Sequence, residues 1–364
     1  MRAFVEVNLR AIADNVSLIK RSTEAQILAV VKADAYGHGL VPVSKVAINA
    51  GATWLGVALL EEALVLRAAE IKVPIIAWLT PPSSDFKLAI ESDIDLAVPS
   101  LRHLELIVAA SKAAKKRARI HIEVDTGMSR GGLLDEWSTF LAAISGADVE
   151  VVGFWSHFSS ADEPGAAINK EQEVEFSKKL AQLREVGVNP KYLHIANSAA
   201  ALTNENSHQD IIRLGIAMYG LSPDLNNLGS SAKLGLKPAM RLKSELHLVK
   251  RVPAGTPVGY GQSERTSRDT KLAIITMGYA DGIPRNTSNQ AGVFVAGAKA
   301  PIIGRVSMDQ FVVDLGPDSK AQAGDIAEVF GEIGYSIDDW ATASSTINYE
   351  IVTRIASRVP RIYT

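Results

Sequence analysis

Eight short runs rich in Val, Ile and Leu recur through the first 220 or so positions, each followed by a longer stretch with helical spacing. They fall at 27–32, 54–58, 74–79, 94–98, 119–124, 150–156, 192–196 and 211–216. Apolar runs with little alternation fit strands covered on both faces, which is what a parallel sheet requires. Helices are expected between them at 60–70, 101–114 and 170–185; in the last, Val174, Leu180 and Leu183 form the apolar side, and Gly187 gives the stop. Eight such units in roughly 200–250 residues predict an N-terminal (β/α)8 TIM barrel, with a doubly wound open sheet as the alternative.

The pattern changes at 224–238, where Gly, Ser, Asn and Pro read as a linker. Strand follows strand beyond it, at 240–252, 271–277, 292–295, 301–306, 310–314 and 326–330, and a helix begins at Ser336 with Asp339 placed for a capping box. The fold class is thus α/β followed by mostly β, with domains at 1–230 and 231–364. Acidic residues number 40 and basic ones 38, so the balance argues for neither a nucleic-acid nor a membrane-surface partner. The cluster Lys115, Lys116, Arg117 and Arg119 reads as a solvated helix end. The absence of cysteine removes disulfides, thiol nucleophiles and thiolate metal sites. Neither a signal peptide nor an apolar run of ~18 residues is evident, so the expected location is the cytoplasm.

Barrel enzymes gather their reactive groups at the carboxyl ends of the strands. Lys32, Arg130, His157, Asn197 with Ser198, and Arg213 with Gly215 and Ile216 all fall there. Singly each has an ordinary reading: a snorkelling lysine, a structural histidine, an arginine in a turn. Gly37 and Gly39 are too little for a nucleotide site, and His157 with Asp162 and Glu163 lacks the second histidine of a metal site. Together they say more. A lysine among apolar residues tends towards the neutral amine, which forms a Schiff base with an aldehyde. Small-residue loops after the last two strands suit a phosphate. A Schiff-base lysine beside a phosphate cradle points to pyridoxal 5'-phosphate rather than a sugar-phosphate aldolase.

KADAYGHG, VDTGMSRGG, WSHF-x-x-ADE, HIANSAA, RLGIAMYG, GYADG, GRVSMDQ and RVPRIY, in that order across 31–363, resemble the alanine racemase family. The resemblance implies a homodimer with shared active sites that interconverts L-alanine and D-alanine, supplying D-alanine for peptidoglycan. It implies that Lys32 carries the cofactor with support from Tyr36. Ser198, Gly215, Ile216 and Tyr349 would hold the phosphate, with Asn197 beside them, and His157 would stack near the ring. Arg213 would face the pyridine nitrogen, and Tyr279 of the partner subunit would be the second base. Arg130 and Met308 would meet the substrate, with Asp309 in support. A broader amino-acid racemase or serine racemase is the alternative within this chemistry, and a non-catalytic cofactor carrier is the alternative outside it. A barrel decarboxylase fits less well, because those place an acid opposite the pyridine nitrogen.

Two positions depart from the family. Many members have a lysine, carbamylated, two residues before the Asp of DTGM, and here Glu123 stands there. Its carboxylate is expected to pair with Arg130 directly, making activity independent of carbon dioxide. The stretch GIPRNTSNQAGVFV also lacks the tyrosine that often narrows the family's entrance, which leaves side-chain selectivity open.

Overall fold

The computed structural model describes every residue, Met1–Thr364, and divides into two units. The larger comprises Ala11–Ala35 and Leu40–Lys237; the smaller comprises Met1–Arg10, Tyr36–Gly39 and Pro238–Thr364. A single cut after residue 230 therefore does not describe the units. The unexpected first strand, β1 (Ala3–Val7), pairs antiparallel with β10 (Met240–Val252) and parallel with Arg361–Tyr363, so the two chain ends share one sheet.

The larger unit contains all eight expected strands. They are β2 (Gln26–Val30), β3 (Ala52–Val57), β4 (Ile75–Ala77), β5 (Ile94–Val98), β6 (Ala118–Glu123), β7 (Val149–Trp155), β8 (Tyr192–His194) and β9 (Ile211–Leu214). They run parallel in the order β8-β7-β6-β5-β4-β3-β2-β9. Asp210 N–H donates to the Leu193 carbonyl at 3.1 Å and Arg213 N–H to the Ala196 carbonyl at 3.0 Å, which closes the barrel and excludes the open sheet. All five residues of β5 are buried, as expected for strands covered on both faces. The helix Leu101–Ala114 starts at the cap Ser100, and Ala167–Glu185 ends just before Gly187 in its left-handed conformation. Leu180 and Leu183 are buried, but Val174 is exposed; Phe176 takes the inward position expected of it. Of the basic cluster, Lys116 and Arg117 do lie on the surface, paired with Asp93 and Asp148, whereas Arg119 reaches the buried Asp95.

In the smaller unit β10 pairs with strands Thr270–Ile275 and Ile326–Phe330. The strand expected at 301–306 is instead Ala298–Pro301. Past its end Ile303 N donates to the Val312 carbonyl, and the chain then turns at Gly304, with φ 78° and the Val258 carbonyl 2.9 Å from where a Cβ would lie. The hairpin of Pro257–Val258 and Glu264–Arg265 was not expected either. The capping box forms as anticipated: Ser336 Oγ accepts from Asp339 N at 3.0 Å, and Asp339 Oδ2 accepts from Ser336 N at 2.8 Å.

Candidate active site

Lys32 follows β2 at its carboxyl end and opens a left-handed turn, with φ 54°, 53°, 52° and 52° at Ala33, Asp34, Ala35 and Tyr36. Each such residue costs roughly 1–2 kcal/mol, so the turn must be held from outside. Glu62 accepts from Ala33 N at 2.6 Å, and Asp34 accepts from Leu40 N at 2.8 Å. Lys32 is exposed in the single chain, yet enough protein surrounds its amine to desolvate it. Desolvation first, then the charges of Arg130 and Arg213, hold its pKa below the usual lysine value against the opposing pull of Glu62. The result is an accessible amine biased towards its nucleophilic form.

Arg213 projects from β9 and is buried. Its Nη1 donates to the His194 carbonyl at 3.0 Å and to His194 Nδ1 at 3.2 Å. Its Nη2 reaches the Ser156 carbonyl at 2.8 Å, the Ile195 carbonyl at 3.1 Å and His157 Nδ1 at 3.2 Å. No acceptor within the chain takes the Nε–H. Burial brings the Arg213 pKa down to about 9, which leaves a cation at neutral pH. Burial, then the charges of Arg213, Arg130 and Lys32, press the His157 pKa well below its ordinary value. His157 is therefore a neutral imidazole that accepts at Nδ1 from the guanidinium. The Arg213 guanidinium also lies 5.1 Å from the Trp155 ring centre.

Ser198 starts the helix Ser198–Thr203, and its Oγ accepts from Gly215 N at 2.8 Å and Ala217 N at 3.4 Å. One hydroxyl thus ties the loops after β8 and β9 together and keeps its own proton to give. Asn197 Oδ1 accepts from Ala200 N at 3.1 Å and caps that helix, a positioning role.

Glu123 ends β6. Burial raises its pKa to about 7, while Arg130 and Arg213 pull it down. Arg130 acts on the carboxyl through its field, but the two form no ion pair, contrary to the expectation. The carboxylate lies instead against Gly131, where an added Cβ would be 3.2 Å from Oε1.

The remaining sequence candidates belong to the smaller unit. Tyr279 N donates to the Ser307 carbonyl at 3.0 Å, and Ala280 N to the Met308 carbonyl at 2.9 Å. Only glycine fits at 278, since an added Cβ would lie 2.2 Å from that Ser307 oxygen. Buried Asp281 receives Arg2, Arg358 and Gly278 N, and Arg358 also holds Asp309 at 2.6 Å. Burial alone would raise the Asp281 pKa, but these donors keep it below the usual carboxylate value. The rings of Tyr36 and Tyr349 are 6.2 Å apart, and burial pushes the Tyr36 pKa up to about 12.

Glu62, Asp95, His121 and His194 were not among the sequence candidates. The last three were visible as titratable residues interrupting strands that are otherwise apolar. What they contact, however, depends on barrel closure.

The family profiles described as alanine racemase, N-terminal domain and alanine racemase, C-terminal domain match residues 7–223 and 239–363. The chain is 46% identical to the alanine racemase of Salinispora tropica, covering all of this chain and 98% of that protein. It is 45% identical to that of Thermobifida fusca, covering all of this chain and 99% of that protein. The crystal structure of alanine racemase from D-cycloserine-producing Streptomyces lavendulae superposes with a TM-score of 0.97 at 46% identity, covering 100% and 97% of the two chains. That of Bacillus anthracis with bound L-Ala-P gives 0.91 at 38% identity, covering 100% and 95%. With likeness of this extent running through both units, and with a desolvated lysine and a buried arginine where the barrel strands end, this chain belongs to the alanine racemase family.

Proposed function

We propose that this chain interconverts L-alanine and D-alanine with pyridoxal phosphate held at Lys32. The observation that carries the reading is Lys32 itself, an accessible amine whose proton is disfavoured by desolvation and two arginines. The residues present fit the cofactor. The unpartnered Arg213 Nε–H suits an aromatic nitrogen that accepts a hydrogen bond, and the Ser198 hydroxyl, which accepts from Gly215 N and keeps its own proton to donate, suits a phosphate with the Gly215–Ile216 turn beside it. The indole N–H of Trp155, whose ring the Arg213 guanidinium faces, is also buried without an acceptor. When bound, the cofactor supplies an electron sink for the carbanion left by loss of the α-proton.

Racemisation takes a proton from one face of the substrate and returns one to the other, which calls for two acid/base groups. Lys32 Nζ serves one face, and the partner's Tyr279 serves the other through its phenol oxygen. Because arginine donates and cannot accept, Arg213 would hold a pyridine nitrogen as a hydrogen-bond acceptor rather than protonate it, and so would moderate the electron withdrawal that the cofactor supplies. Arg130 assists the phenol oxygen and receives the substrate carboxylate, with the Met308 N–H beside it. Tyr279 is 39% and Met308 53% exposed in the single chain, which is compatible with the homodimer of shared sites that the family resemblance implies. The product would serve cell-wall peptidoglycan from the cytoplasm.

The test is exchange of the α-proton in deuterated water with L-Ala, D-Ala, L-Ser and L-Lys. Alanine should exchange fastest. Tyr279→Phe should lose exchange from L-Ala while retaining it from D-Ala. Equal loss with both enantiomers, or none, refutes the two-base assignment, and equal exchange of serine or lysine favours the broader racemase.

A further inference from the structure

A line of polar groups crosses the apolar interior of the barrel. Arg119 Nε and Nη2 donate to Asp95 Oδ1 at 2.7 Å and Oδ2 at 3.0 Å. His121 Nε2 lies 3.2 Å from Asp95 Oδ2, and His121 Nδ1 lies 3.0 Å from His194 Nε2. His194 Nδ1 meets Arg213 Nη1 at 3.2 Å. Asp95, His121 and His194 are all within 1% of complete burial, while the outermost member, Arg119, is 34% exposed on its side chain.

The protons in this line can be assigned. Arginine only donates, so His194 Nδ1 must offer its lone pair. Burial keeps His194 neutral, and its single proton is therefore on Nε2, donated to His121 Nδ1. His121 then carries its proton on Nε2 and gives it to Asp95, a carboxylate that only accepts. Every bond points the same way, from the Arg213 cation to the Asp95 anion. Reversing one ring would set two donors or two lone pairs face to face, a costly fault where water cannot intervene. Gly153 leaves the room: a Cβ there would lie 2.0 Å from His121 Nδ1.

We propose that Asp95 is a positioning residue for the site. Through His121 and His194 it anchors the Arg213 guanidinium, so that Nε–H remains directed at the bound ligand. This rests on the reading of Arg213 under the proposed function.

The experiment is ¹⁵N spectroscopy of imidazole nitrogens in the holoprotein, joined to steady-state kinetics with L-alanine. The wild type at neutral pH should show protonated Nε2 and bare Nδ1 in both rings. Asp95→Leu removes the terminal acceptor and should expose the His121 N–H to rapid exchange, with kcat falling roughly 2- to 30-fold and KM little changed. Gly153→Ala, which cuts the line without touching a charge, should do the same and serves if Asp95→Leu does not fold. Asp95→Asn can keep an oxygen towards His121 and should recover both the ring signals and most of the rate. A wild-type ring protonated at Nδ1, or Asp95→Leu and Gly153→Ala turning over as fast as wild type, overturns the proposal. A wild type that leaves the α-proton of alanine unexchanged refutes the proposed activity instead, and the ring spectra still judge the relay.

Discussion

Replacing Glu123 by glutamine should stabilise the protein, and by more as the pH rises. An unfolded glutamate titrates near 4.5, whereas burial lifts the folded one to about 7. Between those values the native state holds a proton that the unfolded chain has released, so stability falls as the pH climbs through this window and levels off above it. Carried across the whole window, the shift is worth on the order of 3 kcal/mol. Glutamine keeps the shape and has no charge to bury. In urea unfolding, the gap in favour of Glu123→Gln should widen from below about 1 kcal/mol at pH ~5 to about 3 kcal/mol at pH ~8. A gap that does not change with pH refutes the reasoning. A gap that narrows as the pH rises would mean that Arg130 closes on Glu123 in solution and that attraction outweighs desolvation.

Other expectations concern the arginine and the tyrosine loop. Arg213→Glu puts a proton-accepting acid where a donor stood, so the share of cofactor converted to its pyridoxamine form per turnover should rise, read by absorbance; unchanged partitioning counts against a restraining role. Gly278→Ala drives a methyl into the Ser307 carbonyl. It should cost roughly 1–3 kcal/mol in thermal or urea unfolding and lower exchange from L-alanine, because the Tyr279 turn shifts with it. Wild-type stability would mean that the Ser307 strand yields without strain.

Several features were legible because they are written in neighbouring residues. Eight apolar runs of strand length and the helix-period stretches between them determine an alternating α/β chain, and the run boundaries agree with the strands to within a few residues. The Ser336–Asp339 box depends on a spacing of three and needs no distant partner. The same locality let motifs at strand ends single out Lys32, Arg130, His157, Ser198 and Arg213.

What escaped the sequence depends on partners far along the chain. Strand Ala3–Val7 has no local mark of the sheet it joins, because its partners are more than two hundred residues away. The opposite charges of Glu123 and Arg130 suggested a pair, but Glu123, at the end of β6, sets its carboxylate against Gly131. Arg119 looked like one more surface cation in a basic run, and Asp95, His121 and His194 like isolated polar residues in apolar strands. Only the folded barrel brings those side chains, from three strands, into one line with Arg213 on a fourth. Hydrophobic period is a property of adjacent residues, whereas desolvation and hydrogen-bond direction are set by whichever atoms the fold packs around a group. The sequence alone therefore determined the order of elements and the site motifs, and the tertiary structure decided which charges meet and which proton each ring carries.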